Sequence, residues 1–156
     1  MARFEAVLPD DLLKGFQNLE KNTEKMLGEM TREGAKVVKS NVQGSVPKKS
    51  MASHVKLTKT YKTPSDGGIN TKVYLSGYLP FKGNRKYFSR KGGNGTTYKT
   101  TRGIPVDFLA KIYEYGRHKN PFPKKPFLRS SFRKTQIESA MNKVQDKYLK
   151  ELKWII

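Results

Sequence analysis

The segment from Gly93 to Thr100 contains residue types that could bind a phosphate, because a glycine stands six residues before a Lys-Thr pair. In a phosphate-binding loop, the residue before the lysine is glycine, so that the backbone amides can turn toward the phosphate. This chain has Tyr98 at that position, and no strand of the buried type precedes the segment. The sequence therefore argues against a nucleotide site of this kind.

The sequence lacks the residues that acid-base catalysis or metal binding would need. The two histidines, His54 and His118, lie in no metal-binding spacing, and the chain has no cysteine. Glu114 lies four residues before His118, and a surface pair at a helix end is a simpler interpretation of that spacing than catalysis. Residues 45–106 contain a single acid, Asp66, whereas a two-metal nuclease needs clustered carboxylates. We predict a protein that is not an enzyme and uses no metal or cofactor.

The charge of the chain predicts an acidic partner. Its 156 residues include 32 Lys and Arg against 13 Asp and Glu, which gives a formal net charge of +19. The excess lies in residues 45–106 and 107–156, whereas residues 1–44 hold equal numbers of basic and acidic side chains. Such a field attracts polyanions. The alternative is a solvated, self-repelling surface with no specific partner.

Residues 78–103 are predicted to form a flexible basic insertion or arm, either a long loop or a hairpin extension whose returning strand is Thr96–Thr101. The segment holds seven basic residues, no acid, and the rings of Phe81, Tyr87 and Phe88. Basic residues mixed with aromatic ones suit contact with phosphates and bases, and they equally suit an arm that orders on a protein partner. The candidate DNA or partner contacts here are Lys82, Arg85, Lys86, Arg90 and Lys91.

A long N-terminal helix precedes this segment. Asp10 and Asp11 suit a helix start, an apolar stripe of helical spacing continues to about Asn41, and Gly44 and Pro47 end it. Such a helix either faces the core of its own chain or packs against another subunit. The stripe consists of Leu12, Phe16, Leu19, Met26, Met30, Val37 and Val38.

Strands and two further helices complete the predicted fold. Alternating residues at 55–59 and 69–76 flank the turn at 64–68, which indicates an antiparallel pair. A helix is predicted from Ile104 to Gly116, and a last helix opens at Pro126-Phe127-Leu128. The expected fold is α+β, with the helices packed on a small antiparallel sheet in one domain, 1–156. The stripe of the last helix is Leu128, Phe132, Ile137, Met141, Val144, Tyr148, Leu152 and Ile155.

Tyr113-Glu114-Tyr115-Gly116 is followed, ten residues after Gly116, by Pro126-Phe127-Leu128-Arg129. These two short motifs resemble those of the small neck proteins of long-tailed phages, the tail completion or head-to-tail joining proteins. Members of that family carry an aromatic-Glu-aromatic-Gly signature, a short loop, and a Pro-Phe-Leu-Arg opening to a C-terminal helix. This chain has Tyr113-Glu114-Tyr115-Gly116 and Pro126-Phe127-Leu128-Arg129 in that order. The long first helix and the two strands extend the resemblance to roughly two thirds of the chain. The chain departs from the family at 48–54, and residues 81–102 look like an insertion.

The resemblance implies a structural virion protein that assembles as a ring at the capsid-tail joint, around the DNA passage. Its implied partners are further copies of itself, other neck, connector and tail proteins, and DNA through sequence-neutral contacts. The protein would lie in the virion, after assembly in the host cytoplasm, without a membrane. The motif residues are Glu114, Gly116, Pro126, Phe127 and Leu128, with Arg117, Lys119, Lys124 and Lys125 as a basic edge for DNA or partner contacts.

Two expectations remain open at this point. Glu114 lies in the last turn of its helix, where a negative charge is unfavourable, so we expect it to pair with Arg117 or Arg129. The alternative function is a nonspecific nucleic-acid-binding module, in which Arg85, Lys86, Tyr87 and Phe88 form a stacking and phosphate-binding arm.

Overall fold

The computed structural model describes residues 10–65, 67–117 and 124–152. Within these residues the fold is α+β, as predicted, with three α-helices and eight short strands. The helices are α1 (Asp10–Ser45), α2 (Val106–Tyr115) and α3 (Lys134–Leu152). None of the helices in this part of the chain is both long and apolar enough to cross a membrane.

Helix α1 is the longest element and runs for 36 residues, which is about 54 Å at about 1.5 Å per residue. Its described part runs from Asp10 to Ser45, so the helix ends between Gly44 and Pro47, the residues that were predicted to stop it. Among its described side chains, the buried apolar ones are Ala35, Val38 and Val42, which lie in its last third. The side chains at the first predicted stripe positions, Leu12, Phe16 and Leu19, lie outside the described part of the chain.

The strands form four antiparallel pairs of two. The predicted pair is confirmed: β1 (Val55–Leu57) pairs with β4 (Val73–Leu75), with Val55 opposite Leu75. The hairpin extends through β2 (Tyr61–Lys62) and β3 (Ile69–Asn70). Two further pairs follow, β5 (Tyr78–Leu79) with β8 (Ile104–Pro105), and β6 (Phe88–Lys91) with β7 (Thr97–Thr100). The β6-β7 pair shows that the basic segment is a hairpin, with its returning strand where the sequence predicts one.

The core lies where the C-terminal third of α1, the β1-β4 pair and α2 meet. A 3-10 helix, Lys49–His54, follows α1 and places Met51 fully inside this core. Helix α3 packs along α1, and Gly34 permits the close approach, since a Cβ there would lie 3.1 Å from Ile137 Cγ2. The buried cluster consists of Val38, Val42, Met51, Val55, Leu75, Leu79, Val106, Ala110, Tyr113 and Phe127.

The start of the last helix differs from the prediction. A 3-10 helix occupies Arg129–Ser131, and α3 begins only at Lys134. This break changes the helical phase, so Phe132, which was predicted to belong to the apolar stripe, is 64% exposed. Phe127, at the motif position before the break, is 2% exposed and fills the core instead.

Candidate functional site

The carboxylate of Glu114 organises the turn between α2 and the C-terminal helices. Glu114 is 5% exposed. Its Oε2 accepts hydrogen bonds from the backbone N–H groups of Phe127, at 2.9 Å, and Leu128, at 3.0 Å, and its Oε1 accepts one from Arg129 at 3.3 Å. These N–H groups begin a 3-10 helix, so they have no partner within it. Glu114 therefore caps the 3-10 helix from a distant part of the sequence.

The cation expected beside Glu114 is present, but it is a secondary partner. Arg129 Nε lies 3.7 Å from Glu114 Oε1, and the Arg129 side chain is 75% exposed, so solvent weakens this ion pair. The backbone amides that sequence reasoning missed are the closer partners. One signal pointed to them: no Ser, Thr, Asp or Asn lies in residues 121–128, so the amides that open the 3-10 helix needed an acceptor from elsewhere.

Further backbone contacts hold the same corner together. Gly116 ends α2 with φ of +78°, and its N–H donates to the Ile112 carbonyl oxygen at 2.8 Å. Because few residues other than glycine adopt a positive φ, this position depends on Gly116. The Lys125 N–H donates to the Tyr113 carbonyl oxygen at 2.8 Å, which holds the returning chain beside α2. We call the unit 112–116 with 125–131 the corner.

The β6-β7 hairpin is attached to α2 by two contacts. The Phe88 and Phe108 rings meet edge to face with their centroids 5.0 Å apart. Arg90 Nη1 lies 3.8 Å from Asp107 Oδ2. Phe88, which the sequence suggested as a stacking surface for bases, therefore packs on the protein itself. These contacts place the basic hairpin beside the helix that carries Glu114.

The exposed rings of the hairpin lie beside cations. Lys99 Nζ lies 4.3 Å from the centre of the Tyr87 ring, and Arg90 Cζ lies 5.7 Å from that of Tyr98. Tyr98 was not among the rings singled out from the sequence. Rings with neighbouring cations can contact both a base and its phosphate.

Two clefts bring several predicted basic residues together. The first, about 630 Å³, lies between residues 84–89 and α2, and its lining includes Arg85, Lys86 and Arg117. The second, about 590 Å³, has an apolar floor and a basic rim. Its rim consists of Lys48, Lys49, Lys82 and Arg85, and its floor of Leu79, Pro80, Ile104 and Leu109.

The other basic residues that were predicted to contact DNA or a partner do not line the two clefts or lie outside the described residues. Lys91 ends β6. Lys124 and Lys125 are exposed where the chain enters the corner at residue 125. Lys119 and His118 fall outside the described residues. The structure therefore gathers the predicted basic residues into clefts and edges around α2 rather than into one site.

The residues considered for catalysis have structural surroundings. His54 Nδ1 lies 3.1 Å from the Ser76 carbonyl oxygen. Lys99 and Thr100 lie in β7, whereas a phosphate-binding loop places them at the start of a helix. Over residues 10–65, 67–117 and 124–152, no three His, Asp or Glu side chains come together as a metal site. Comparison of the chain with models of protein families, with curated proteins and with solved structures finds no match.

Proposed function

We propose that the protein is a structural component of a phage neck, which assembles as a ring at the joint between capsid and tail, around the DNA passage. The observation that carries this proposal is the corner. The residues that resemble the neck-protein signature, Tyr113-Glu114-Tyr115-Gly116 and Pro126-Phe127-Leu128-Arg129, form one hydrogen-bonded unit. The two motifs are therefore joined through the Glu114 carboxylate across the loop that separates Gly116 from Pro126.

The architecture supports a ring in a second way. A closed ring needs heterologous contacts, in which two different surfaces of a subunit meet. Helix α1 is about 54 Å long, and those of its described side chains that are buried lie in its last third, so its two ends offer well-separated surfaces. Other neck, connector and tail proteins would bind the faces that the ring leaves exposed.

The basic clefts supply the proposed contact with DNA. Arg85 and Lys86 are exposed beside Arg117, and all three line the first cleft. Cations of this kind bind phosphates without reading bases, which suits a passage through which any sequence must move. The proposal assigns no catalytic role to the protein, which would lie in the virion after assembly in the host cytoplasm.

Electron microscopy of particles made without this protein tests the proposal. We expect unjoined heads and tails, and joined particles when the wild-type protein is supplied. Glu114→Ala should fail to restore joining, because it disrupts the corner, whereas the control Arg129→Ala should restore it. Joined, infective particles in the absence of the protein would refute the proposal.

A nonspecific nucleic-acid-binding module is the second candidate, and the exposed Tyr87 and Tyr98 rings beside cations favour it. Its test is DNA affinity as a function of salt. Replacing both Arg85 and Lys86 by Ala should reduce the slope of log affinity against log salt by about 1.8 if both bind duplex phosphates. A protein that remains monomeric with every neck partner but binds DNA with a steep slope would support the module over the ring.

A further inference from the structure

The second cleft has the composition of a peptide-binding groove. Leu79, Ile104 and Leu109 form part of its apolar floor, while Lys48, Lys49, Lys82 and Arg85 surround it, and none of the described residues that line it is an acid. An apolar floor suits apolar side chains, and a purely basic rim suits carboxylates on either side of them. The cleft therefore fits a segment that combines apolar and acidic residues.

The chain itself contains such a segment at residues 4–11, Phe-Glu-Ala-Val-Leu-Pro-Asp-Asp. We call it the acidic segment. Its acids are Glu5, Asp10 and Asp11, and it holds no Lys or Arg, so its formal charge is −3 in a chain of +19. Elsewhere in the sequence no eight consecutive residues reach that negative charge. Phe4, Val7 and Leu8 supply apolar side chains between or beside the acids.

The acidic segment cannot reach the cleft of its own chain. The segment ends in the first turn of α1, whereas Lys48 and Lys49 on the rim follow directly after the end of α1 at Ser45. The helix separates the two by about 54 Å. Residues 4–9 span about 20 Å when fully extended, so the gap remains open within one chain.

We propose that the acidic segment of one copy docks in the second cleft of the next copy. The proposal rests on the ring proposed above and identifies its subunit contact. The apolar residues of the segment would cover the cleft floor, and its carboxylates would pair with the lysines of the rim. Because the two surfaces differ and lie at opposite ends of α1, the contact is heterologous, and a series of such contacts closes into a ring when the rotation between copies permits. It also brings together oppositely charged surfaces of subunits that otherwise repel each other.

Site-specific cross-linking tests the contact. The chain has no cysteine, so Val7→Cys in one full-length chain and Ser50→Cys in another, beside the rim lysines, can join only to each other or to themselves. After mixing and mild oxidation with oxidised glutathione, we expect a disulfide-linked heterodimer. The control partner carries Ser65→Cys in the exposed turn between β2 and β3. These two strands lie beside residues 21–28 of α1, away from the end of α1 that adjoins the cleft. We expect at least about tenfold more product with Ser50→Cys than with this control.

Charge reversal makes the test specific. Adding Lys48→Glu and Lys49→Glu to the Ser50→Cys chain should lower the yield about tenfold, because two rim pairs are lost. Adding Asp10→Lys and Asp11→Lys to the Val7→Cys chain should then restore it. Cross-linking no stronger than the control, or unaffected by the reversed charges, would overturn the proposal.

The outcomes separate this inference from the proposed function. If particles without the protein remain unjoined but the cross-link does not form, the neck function stands and the docking contact is wrong. If the cross-link forms with the expected charge dependence but particles join without the protein, the contact stands and the neck function is wrong.

Discussion

Replacing Glu114 by Ala should destabilise the protein far more than removing the arginine beside it. The substitution leaves the backbone N–H groups of Phe127, Leu128 and Arg129 without their acceptor at a position that is 5% exposed. Hydrogen bonds to a charged group contribute about 1.5–3 kcal/mol each, and the longest of the three contributes least. We expect a loss of about 3–5 kcal/mol in the free energy of unfolding.

Urea unfolding at 25 °C, followed by circular dichroism, measures this loss. Arg129→Ala is the matched control, because it keeps the Arg129 backbone N–H and removes the ion pair at 3.7 Å and the contact of the guanidinium with the Tyr115 ring. Since the Arg129 side chain is 75% exposed, the two losses together should cost no more than about 1.5 kcal/mol. Glu114→Gln should fall between the two, since its amide oxygen can still accept from part of the set. The reasoning would be refuted if Arg129→Ala cost as much as Glu114→Ala, since the ion pair would then dominate.

Three further predictions concern packing. Gly103→Ala should cost about 2–4 kcal/mol in urea unfolding, because Gly103 has φ of +130° and a Cβ there would lie 2.3 Å from the Leu79 carbonyl oxygen; an unchanged midpoint would contradict this. Phe127→Ala should lower the free energy of unfolding by about 3–5 kcal/mol, because the Phe127 side chain is buried in the core. Phe132→Ala should change it by less than about 1 kcal/mol, because the Phe132 side chain is exposed. Equal effects would contradict the change of helical phase before α3. Deleting residues 82–101 should preserve cooperative unfolding and the helical circular dichroism signal at 222 nm, because β5 and β8 can still pair across the shortened loop. Loss of the unfolding transition would show that the hairpin belongs to the core.

Long periodic patterns were enough to predict much of the fold. The end of α1 between Gly44 and Pro47, the β1-β4 pair and the end of α2 at Gly116 all follow from alternation or from glycine and proline stop signals, which act over neighbouring residues. The returning strand of the basic hairpin was also foreseen.

The features that the sequence did not predict depend on contacts between distant segments. The β5-β8 pair has two residues in each strand, too few to show alternation. Glu114 acts through backbone amides 13 to 15 residues away. The absence of a local acceptor in residues 121–128 shows that these amides need a partner, but it does not show which side chain supplies it. The exposure of Phe132 follows from a 3-10 helix that breaks the helical phase, although its neighbours continue the apolar spacing.

The short β5-β8 pair closes a loop, and the length of that loop can change without affecting the pair. Residues 80–103 connect β5 to β8. The two strands are antiparallel neighbours, with Leu79 opposite Ile104, so the two ends of this segment lie side by side. Doubling the length of a flexible loop adds only about 0.6 kcal/mol to the entropy cost of closing it. An insertion within residues 80–103 should therefore cost little stability, because the β5-β8 pair closes the loop whatever its length. The exposed tip at Gly93 is accordingly a suitable position for an affinity tag or a fluorescent label.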